Sequence, residues 1–218
     1  MRMGDMTEPL RIESIGAVLR WQPKHLPGKH DQYTHGSWAQ GRGGKRDTRT
    51  TKLKAAVADA EARIRDIRDH EELYAFDANG NQVLYKVGGE NFVKISTAEG
   101  LLLKGATFTH NHPLDPDGSS FSVDDIRVAQ QSGAAEVRAV GGRYTYRMKV
   151  PFGASDKTWL VEAIERDIYN ANLKAIDNGT MSVAEANAMH YHEVWTRFGN
   201  DHWAKTEGWS YERTERVE

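Results

Sequence analysis

The sequence predicts an α/β fold, in the form of an α+β mixed sheet flanked by helices. Short segments rich in β-branched and aromatic residues are separated by Gly, Asp and Asn turns, which is typical of strands. Longer segments have apolar residues every three or four positions, which indicates amphipathic helices. After a first helix the predicted order is βββ-α-β-α-ββ followed by two helices, and 218 residues with 39% hydrophobic content suffice for one buried core.

Composition restricts the chemistry available to the chain. No cysteine is present, so disulfides are excluded and any bound metal must use His and carboxylate ligands. There is no run of 18 apolar residues and no apolar signal-peptide core, so we expect no membrane partner and no export by a signal peptide. The net charge is −2, and residues 1–50 hold nine Lys and Arg against five Asp and Glu. The remainder is acidic, which disfavours a nucleic-acid partner.

Three regions are predicted along the chain. Residues 1–50 form a basic, His- and Gly-rich arm or linker, with a short strand or docking segment within residues 12–21. Its His25, His30 and His35 are five residues apart, a spacing that matches neither a helix nor a strand. A flexible or partner-ordered arm is therefore favoured over a second metal site. Residues 51–203 form the folded domain, and residues 204–218 form a charged tail.

The folded domain begins with a predicted helix over residues 51–70. Its single apolar stripe consists of Leu53, Val57, Ala60, Ile64 and Ile67. We expect this narrow stripe to pack on the domain rather than to pair with another chain. Strands follow at residues 71–76, 82–86 and 92–95, with turns at 77–80 and 88–91.

The next elements are predicted from capping residues and turn signals. Ser96 and Glu99 form a capping box that starts a short helix ending at Leu103. A strand at residues 106–109 and a turn-rich loop lead to a helix that begins at Ser122, runs to residue 131 and is ended by Gly133. Residues 136–140 and 144–150 then form a second hairpin.

Two helices, over residues 155–177 and 182–198, complete the folded domain. Each has a serine at its predicted N-cap, Ser155 and Ser182. His190 and His192 lie two positions apart on the second of these helices, so their side chains diverge and cannot bind one metal together. We interpret them as surface or packing residues.

A candidate metal site lies at the string Thr109-His110-Asn111-His112-Pro113 and at the helix that follows it. Side chains at positions i and i+2 of a strand point to one face, so His110 and His112 converge. An N-cap at Ser122 places Asp125 in the first helical turn, where a carboxylate can fold back over the strand end. Two His and one carboxylate leave a fourth position open, as in catalytic rather than structural zinc sites.

The pattern His110-x-His112-Pro113, followed by Ser122-x-x-Asp125, resembles the zinc motif of the JAB/MPN+ (JAMM) metallopeptidases. The His-Asn-His-Pro string is similar to the RadC-like branch and to domains of phage head-morphogenesis and toxin-associated proteins. The resemblance covers about residues 69–151. It implies a JAB/MPN-like, cytidine-deaminase-like architecture and zinc bound by His110, His112 and Asp125. It also implies that Ser122 supports the oxyanion and that an upstream Glu is the general acid/base.

Two alternates arise because the loop before Ser122 is two residues longer than the spacing common in the family. Ser120 would restore that spacing, but it would place Val123 at the ligand position, so Ser122 is preferred. Asp124, which is adjacent to Asp125 in the first helical turn, is the alternate carboxylate.

Four upstream glutamates are candidates for the general acid/base. Glu99 has a structural function as the capping-box acid, and Glu90 lies in a Gly-rich turn. Glu71 and Glu72 open the first strand and point to opposite faces. The resemblance favours Glu71, and a shift of register by one residue would favour Glu72.

The resemblance implies a zinc-dependent peptidase or isopeptidase that hydrolyses an amide bond of a protein or peptide substrate. It also implies a phage-encoded chain in the host cytoplasm or the virion, whose N-terminal arm binds phage structural proteins. One alternative is a non-enzymatic phage virion or assembly protein that retains the zinc fold. The second is a metal-dependent nuclease of the His-Asn-His type, although the helix after Ser122 offers no suitably placed His or Asn.

Overall fold

The computed structural model describes residues 10–13, 48–113 and 120–216. His25, His30 and His35 of the basic arm, with the predictions made for them, lie outside the described residues. The strands are β1 (Leu10–Glu13), β2 (Glu72–Phe76), β3 (Gln82–Val87), β4 (Phe92–Ile95), β5 (Thr107–Asn111), β6 (Glu136–Val140), β7 (Tyr144–Lys149) and β8 (Ser210–Glu215). The helices are α1 (Thr48–Ile64), α2 (Thr97–Leu102), α3 (Val123–Ser132), α4 (Thr158–Asp177), α5 (Val183–Asn200) and α6 (His202–Glu207).

The main sheet has six strands in the order β3-β2-β5-β6-β7-β8. Strands β5 and β6 are parallel, and the other neighbouring pairs are antiparallel. The parallel pair is joined by α3, because parallel neighbours need a crossover connection. The predicted mixed sheet is therefore confirmed. Strand β4 lies outside it and pairs with β1 in a separate two-stranded sheet.

One face of the main sheet carries the larger hydrophobic core. Leu73, Phe108 and Val137, from three neighbouring strands, are fully buried on this face. Burial of each such side chain contributes about 1.5–3 kcal/mol. Helices α2 to α5, with their flanking residues, add Leu103, Ile126, Ala129, Val161, Ile168, Val194 and Trp195 to the same cluster. His110 and His112 lie on the face of Phe108, because strand side chains alternate.

Helix α1 covers the opposite face of the sheet. Val57 and Ala60 are buried against Phe76, and Ile64 is fully buried. The prediction that the apolar stripe packs on the domain is therefore confirmed. The helix ends at Ile64 rather than at residue 70, and Ile67 follows it in a turn.

Most of the predicted charged tail is folded into a helix and a strand. Residues 202–207 form α6, which ends at Gly208 in the left-handed conformation (φ 92°), and β8 then adds the sixth strand to the sheet. The charges that suggested a loose tail are those of an edge strand, since Glu212 pairs with Arg147 and Glu215 pairs with Arg143. Helix α4 also differs from its prediction: it begins at Thr158, because the Ser155 hydroxyl donates a hydrogen bond to Glu207 instead of capping the helix.

Other capping predictions are confirmed. Ser96 with Glu99 and Ser182 with Glu185 form reciprocal capping boxes at α2 and α5, and α3 ends at Gly133 with φ 69°. A search of the described helices finds none that is both long and apolar enough to cross a bilayer.

Candidate metal centre

Strand β5 delivers two imidazoles into the interior of the molecule. It lies between β2 and β6, and each of its five residues is buried. His110 and His112 are 0% and 2% exposed, and their Nε2 atoms are 2.9 Å apart. Asn111, between them, points to the opposite face, as strand alternation requires. The predicted convergence of the two histidines is therefore present.

Asp125 reaches the imidazoles from the first turn of α3. Its Oδ2 accepts hydrogen bonds from the Ser122 backbone N–H (2.7 Å) and from the Ser122 hydroxyl (2.9 Å), which are the contacts of a capping box. Its Oδ1 is buried, has no hydrogen-bond partner among the described residues, and lies 3.4 Å from His110 Nε2. The cap therefore holds one carboxylate oxygen and leaves the other facing His110.

The three side chains have the spacing of metal ligands. His110 Nε2 lies 2.9 Å from His112 Nε2 and 3.4 Å from Asp125 Oδ1, and His112 Nε2 lies 3.9 Å from Asp125 Oδ2. Ligands at 2.0–2.1 Å in a tetrahedron would be separated by about 3.3–3.4 Å. A search of the described residues found this group alone to be a candidate metal site. A buried carboxylate oxygen without a hydrogen-bond donor is energetically unfavourable, and a bound cation would remove that cost. These residues therefore fit a metal ion.

Electrostatics at this group favour positive charge. Burial by itself lowers the pKa of His110, but the negative charges of Asp125 and Glu71 outweigh it, so the pKa is raised. Burial likewise opposes ionisation of Asp125, yet His110, His112 and the Ser122 amide hold its pKa below the usual range. The negative charges of Asp125 and Glu71 that stabilise a protonated His110 would also stabilise a bound dication.

Glu71 lies beside this group, and Glu72 does not. Leu73 is opposite His110 in the β2–β5 register, so continuing the antiparallel pairing by two residues brings Glu71 level with His112 on the same face. Glu71 is 0% exposed, and its charge acts on His110. Glu72 points to the other face, where its carboxylate is 3.2 Å from His70 Nε2.

The two other alternates have partners elsewhere. Asp124 forms an ion pair with Arg127 one turn along α3. The Ser120 hydroxyl is 2.8 Å from the hydroxyl of Tyr211 on β8, and that hydroxyl is 2.9 Å from His192 Nδ1. The structure therefore does not bring Asp124 or Ser120 into the metal group.

His190 and His192 take separate positions, as their spacing predicts. Burial and the charge of Arg213 lower the pKa of the His192 imidazole to about 4. His192 packs against the ring of Tyr146, with the ring centroids 6.4 Å apart. His190 lies 3.6 Å from Glu165 on the neighbouring helix α4.

The Ser122 hydroxyl has a structural function that its predicted catalytic role did not include. It donates to Asp125 Oδ2 and accepts from the Asp125 backbone N–H, so its one hydrogen is used within the cap. Sequence reasoning missed Trp195, whose indole N–H donates to the Phe121 carbonyl at 2.6 Å and holds the residue before the cap. No local pattern marks Trp195, because it comes from α5, far along the chain.

Comparisons of the chain with protein-family models, with curated proteins and with solved structures found no match. The chemistry of the centre is accordingly inferred from its own geometry.

Proposed function

We propose that the chain is a zinc-dependent peptidase or isopeptidase of the JAB/MPN+ (JAMM) type. The observation that carries the proposal is the buried group of His110, His112 and Asp125, in which Oδ1 of Asp125 lies 3.4 Å from His110 Nε2 and has no hydrogen-bond donor among the described residues. Glu71 on the same face supplies a carboxylate beside the group. This is the arrangement that the resemblance of the His-x-His-Pro and Ser-x-x-Asp motifs implies.

The fold supports the same assignment. Parallel strands β5 and β6 are joined through α3, so the start of α3 lies near the end of β5 that carries the histidines. A mixed sheet with helices on both faces is consistent with a JAB/MPN-like, cytidine-deaminase-like architecture. The packing of α3 on the sheet brings the first turn of the helix near the histidines, and the Ser122 cap then orients Asp125 within that turn.

Zinc is the ion that this ligand set favours. Two imidazoles and one carboxylate, with no cysteine in the chain, match catalytic zinc sites that keep one position for solvent or substrate. When bound, zinc supplies a Lewis acid that polarises the substrate carbonyl and lowers the pKa of water toward about 7.

The residues of the chain would share the remaining work of amide hydrolysis. Glu71 accepts a proton from the attacking water and transfers it to the leaving amine, so that water and an amide give a carboxylic acid and an amine. Ser122 can stabilise the oxyanion only by rotating its hydroxyl away from Asp125, because its hydrogen lies in the cap. Such donors contribute about 2.7–4 kcal/mol in other hydrolases.

The geometry disfavours the nuclease alternative. Nucleases of the His-Asn-His type use a ββα-metal hairpin with a further His or Asn on the helix. Here the His-bearing strand β5 is parallel to β6, and α3 contains neither His nor Asn. Asn111, the middle residue of the string, points away from the metal group.

The experiment is metal analysis and hydrolysis of peptide and isopeptide panels by the purified chain, with two matched glutamate variants. We expect one zinc per chain and cleavage. Glu71→Gln should still bind one zinc per chain at saturating zinc, although with lower affinity, but it should lose about 10²–10⁴-fold in turnover, since it removes the general acid/base. Glu72→Gln, one residue away on the opposite face, should keep both zinc and activity. If the chain binds zinc but cleaves no substrate, and Glu71→Gln changes nothing, the result would instead support the alternative of a non-enzymatic virion or assembly protein.

A further inference from the structure

The side chain of Asn111 bonds to the backbone on both sides of Glu71. Its Oδ1 accepts a hydrogen bond from the Glu72 N–H at 2.7 Å, and its Nδ2 donates to the His70 carbonyl at 2.9 Å. We propose that Asn111 is a positioning residue that fixes Glu71 beside the metal group. The inference rests on the proposed function of Glu71 and adds a residue to which no function has been assigned.

Asn111 acts where the strand ladder ends. The β2–β5 pairing runs from Phe76 opposite Thr107 to Leu73 opposite His110, so Glu71 lies beyond its last pair. The Glu71 backbone bonds to the other side: its N–H donates to the Gly89 carbonyl and its carbonyl accepts from the Gly88 N–H, each at 2.7 Å. Backbone groups alternate in direction along a strand, so the His70 carbonyl and the Glu72 N–H face β5.

The amide of Asn111 substitutes for the missing backbone partner. A primary amide offers one acceptor and donors in the arrangement of a peptide group, and the short side chain brings it level with residues 70 and 72. Asn111 is 1% exposed, so water cannot readily replace it. Its loss would leave the partly buried N–H of Glu72 without its acceptor, which destabilises this arrangement of the backbone.

The position of Glu71 depends on the hydrogen bonds of Asn111, because Glu71 follows the end of α1 and precedes β2, so regular secondary structure does not hold it. Residues 65–71 form a turn and an irregular segment between α1 and β2, and Asn111 Nδ2 also lies 3.4 Å from the Ile67 carbonyl in that segment. Asn111 therefore ties the segment that carries Glu71 to the strand that carries both histidines. A displacement of a reacting group by about 1 Å can cost 10²-fold in rate.

The test is a double-mutant cycle on zinc affinity, measured by chelator competition on the folded full-length chain. The buried negative charge of Glu71 stabilises a nearby dication, so Glu71→Gln should lower the affinity. Asn111→Ala should lower it by about tenfold, in the range found for residues that orient metal sites. In the Glu71→Gln background, Asn111→Ala should have less than about a twofold further effect, because both changes act through one carboxylate. Independent, additive losses would overturn the inference.

Two further measurements test the proposal. Hydrogen exchange does not depend on the metal, and the separate effects on kcat and KM distinguish positioning from substrate binding. Amide hydrogen exchange at Glu72 should accelerate in Asn111→Ala, because the acceptor of that N–H is lost; unchanged exchange would contradict the proposal. With a cleaved peptide, kcat should fall about 100-fold with KM unchanged. Asn81→Ala is the control: its amide bonds Asp77 in the β2–β3 turn, so zinc affinity should stay unchanged.

The two proposals can fail separately. If wild-type protein cleaves peptides and Asn111→Ala changes neither zinc affinity nor kcat, the positioning function is wrong and the peptidase assignment stands. If the coupling with Glu71 is present but no substrate of the panels is cleaved, Asn111 positions Glu71 and the peptidase assignment is wrong.

Discussion

The two oxygens of Asp125 have different functions, and two other capping boxes of the chain show why this matters. In each box one oxygen of the acid accepts from the N-cap serine. The second oxygen of Glu99 lies 2.8 Å from the Lys86 ammonium, and Glu185 is exposed to solvent. The second oxygen of Asp125 is buried and has no lysine partner among the residues that the structure describes. A buried carboxylate in that position calls for a cation, which supports the metal assignment.

Glu99 provides a prediction at the scale of one residue. Hydrogen bonds from Lys86 and from Ser96 lower the pKa of Glu99 to about 2, below its value in an unfolded chain. Its stabilising effect is therefore complete above about pH 4.5 and is lost as the pH falls toward 2. Glu99→Gln should lower the unfolding free energy by about 1–2 kcal/mol at pH 7, and the difference from wild type should vanish near pH 2.

Urea unfolding at pH 7, 4, 3 and 2 measures this difference. Glu185→Gln is the matched control, because Glu185 is a capping-box acid that has no lysine partner in the described part of the chain and should show a weaker pH dependence. A constant difference for Glu99→Gln between pH 7 and 2 would contradict the assigned cause.

At the scale of one element, the start of α3 couples helix stability to the metal group. Ser122 caps the helix and orients Asp125 through the same two hydrogen bonds. Trp195 from α5 and Tyr211 from β8 both contact Phe121, which precedes the cap. The residue that precedes the cap of α3 is therefore held by two other elements, as a site that must keep a fixed geometry requires.

Serine substitutions at two caps should separate helix stability from metal binding. Ser122→Ala should lower the unfolding free energy by about 1 kcal/mol and weaken zinc affinity by about 10-fold, because Asp125 loses the two hydrogen bonds of the Ser122 hydroxyl and keeps only the one from the backbone N–H of residue 122. Ser182→Ala removes the same type of cap from α5 and should cost similar stability without changing zinc affinity. Thermal unfolding and chelator competition measure the two effects. Equal zinc affinities in the two variants would exclude the orienting function of Ser122.

At the scale of the whole molecule, β8 completes both the sheet and the support of the site. Its Tyr211 ring lies 6.3 Å from Phe121, edge to face, and its hydroxyl bonds to Ser120. Trp209, immediately before β8, is 3% exposed in the main core. The C-terminal strand thereby packs against the loop that leads to the metal ligand on α3.

Removal of β8 is predicted to destabilise the domain and to weaken the site. Deletion of residues 209–218 removes Trp209 and Tyr211 from the core, so the unfolding free energy should fall by at least about 3 kcal/mol. Zinc affinity should also fall, since Phe121 loses one of its supports. Deletion of residues 217–218, beyond the strand, is the control and should change neither quantity. Unchanged urea unfolding after the longer deletion would show that these residues act as the charged tail first expected.

Much of the fold and of the metal group could be predicted from the sequence alone, because the signals for them are local. Alternation along a strand was enough to put His110 and His112 on one face, and an N-cap at Ser122 was enough to turn Asp125 back toward them. The stripe of α1 and the turn residues likewise depend only on neighbours in the chain. Strand bounds such as Phe92–Ile95 and Glu136–Val140 match their predictions for the same reason.

Long-range pairing decided the rest. Strand β4 pairs with β1 in a small sheet, and β8 pairs with β7 in the main sheet. Both pairings are contacts between segments far apart in sequence. The choice of Glu71 over Glu72 required the β2–β5 register, because a shift by one residue exchanges the two faces. The function of Asn111 became visible only where that ladder ends, since a side chain can replace a backbone partner only at a position that tertiary structure creates.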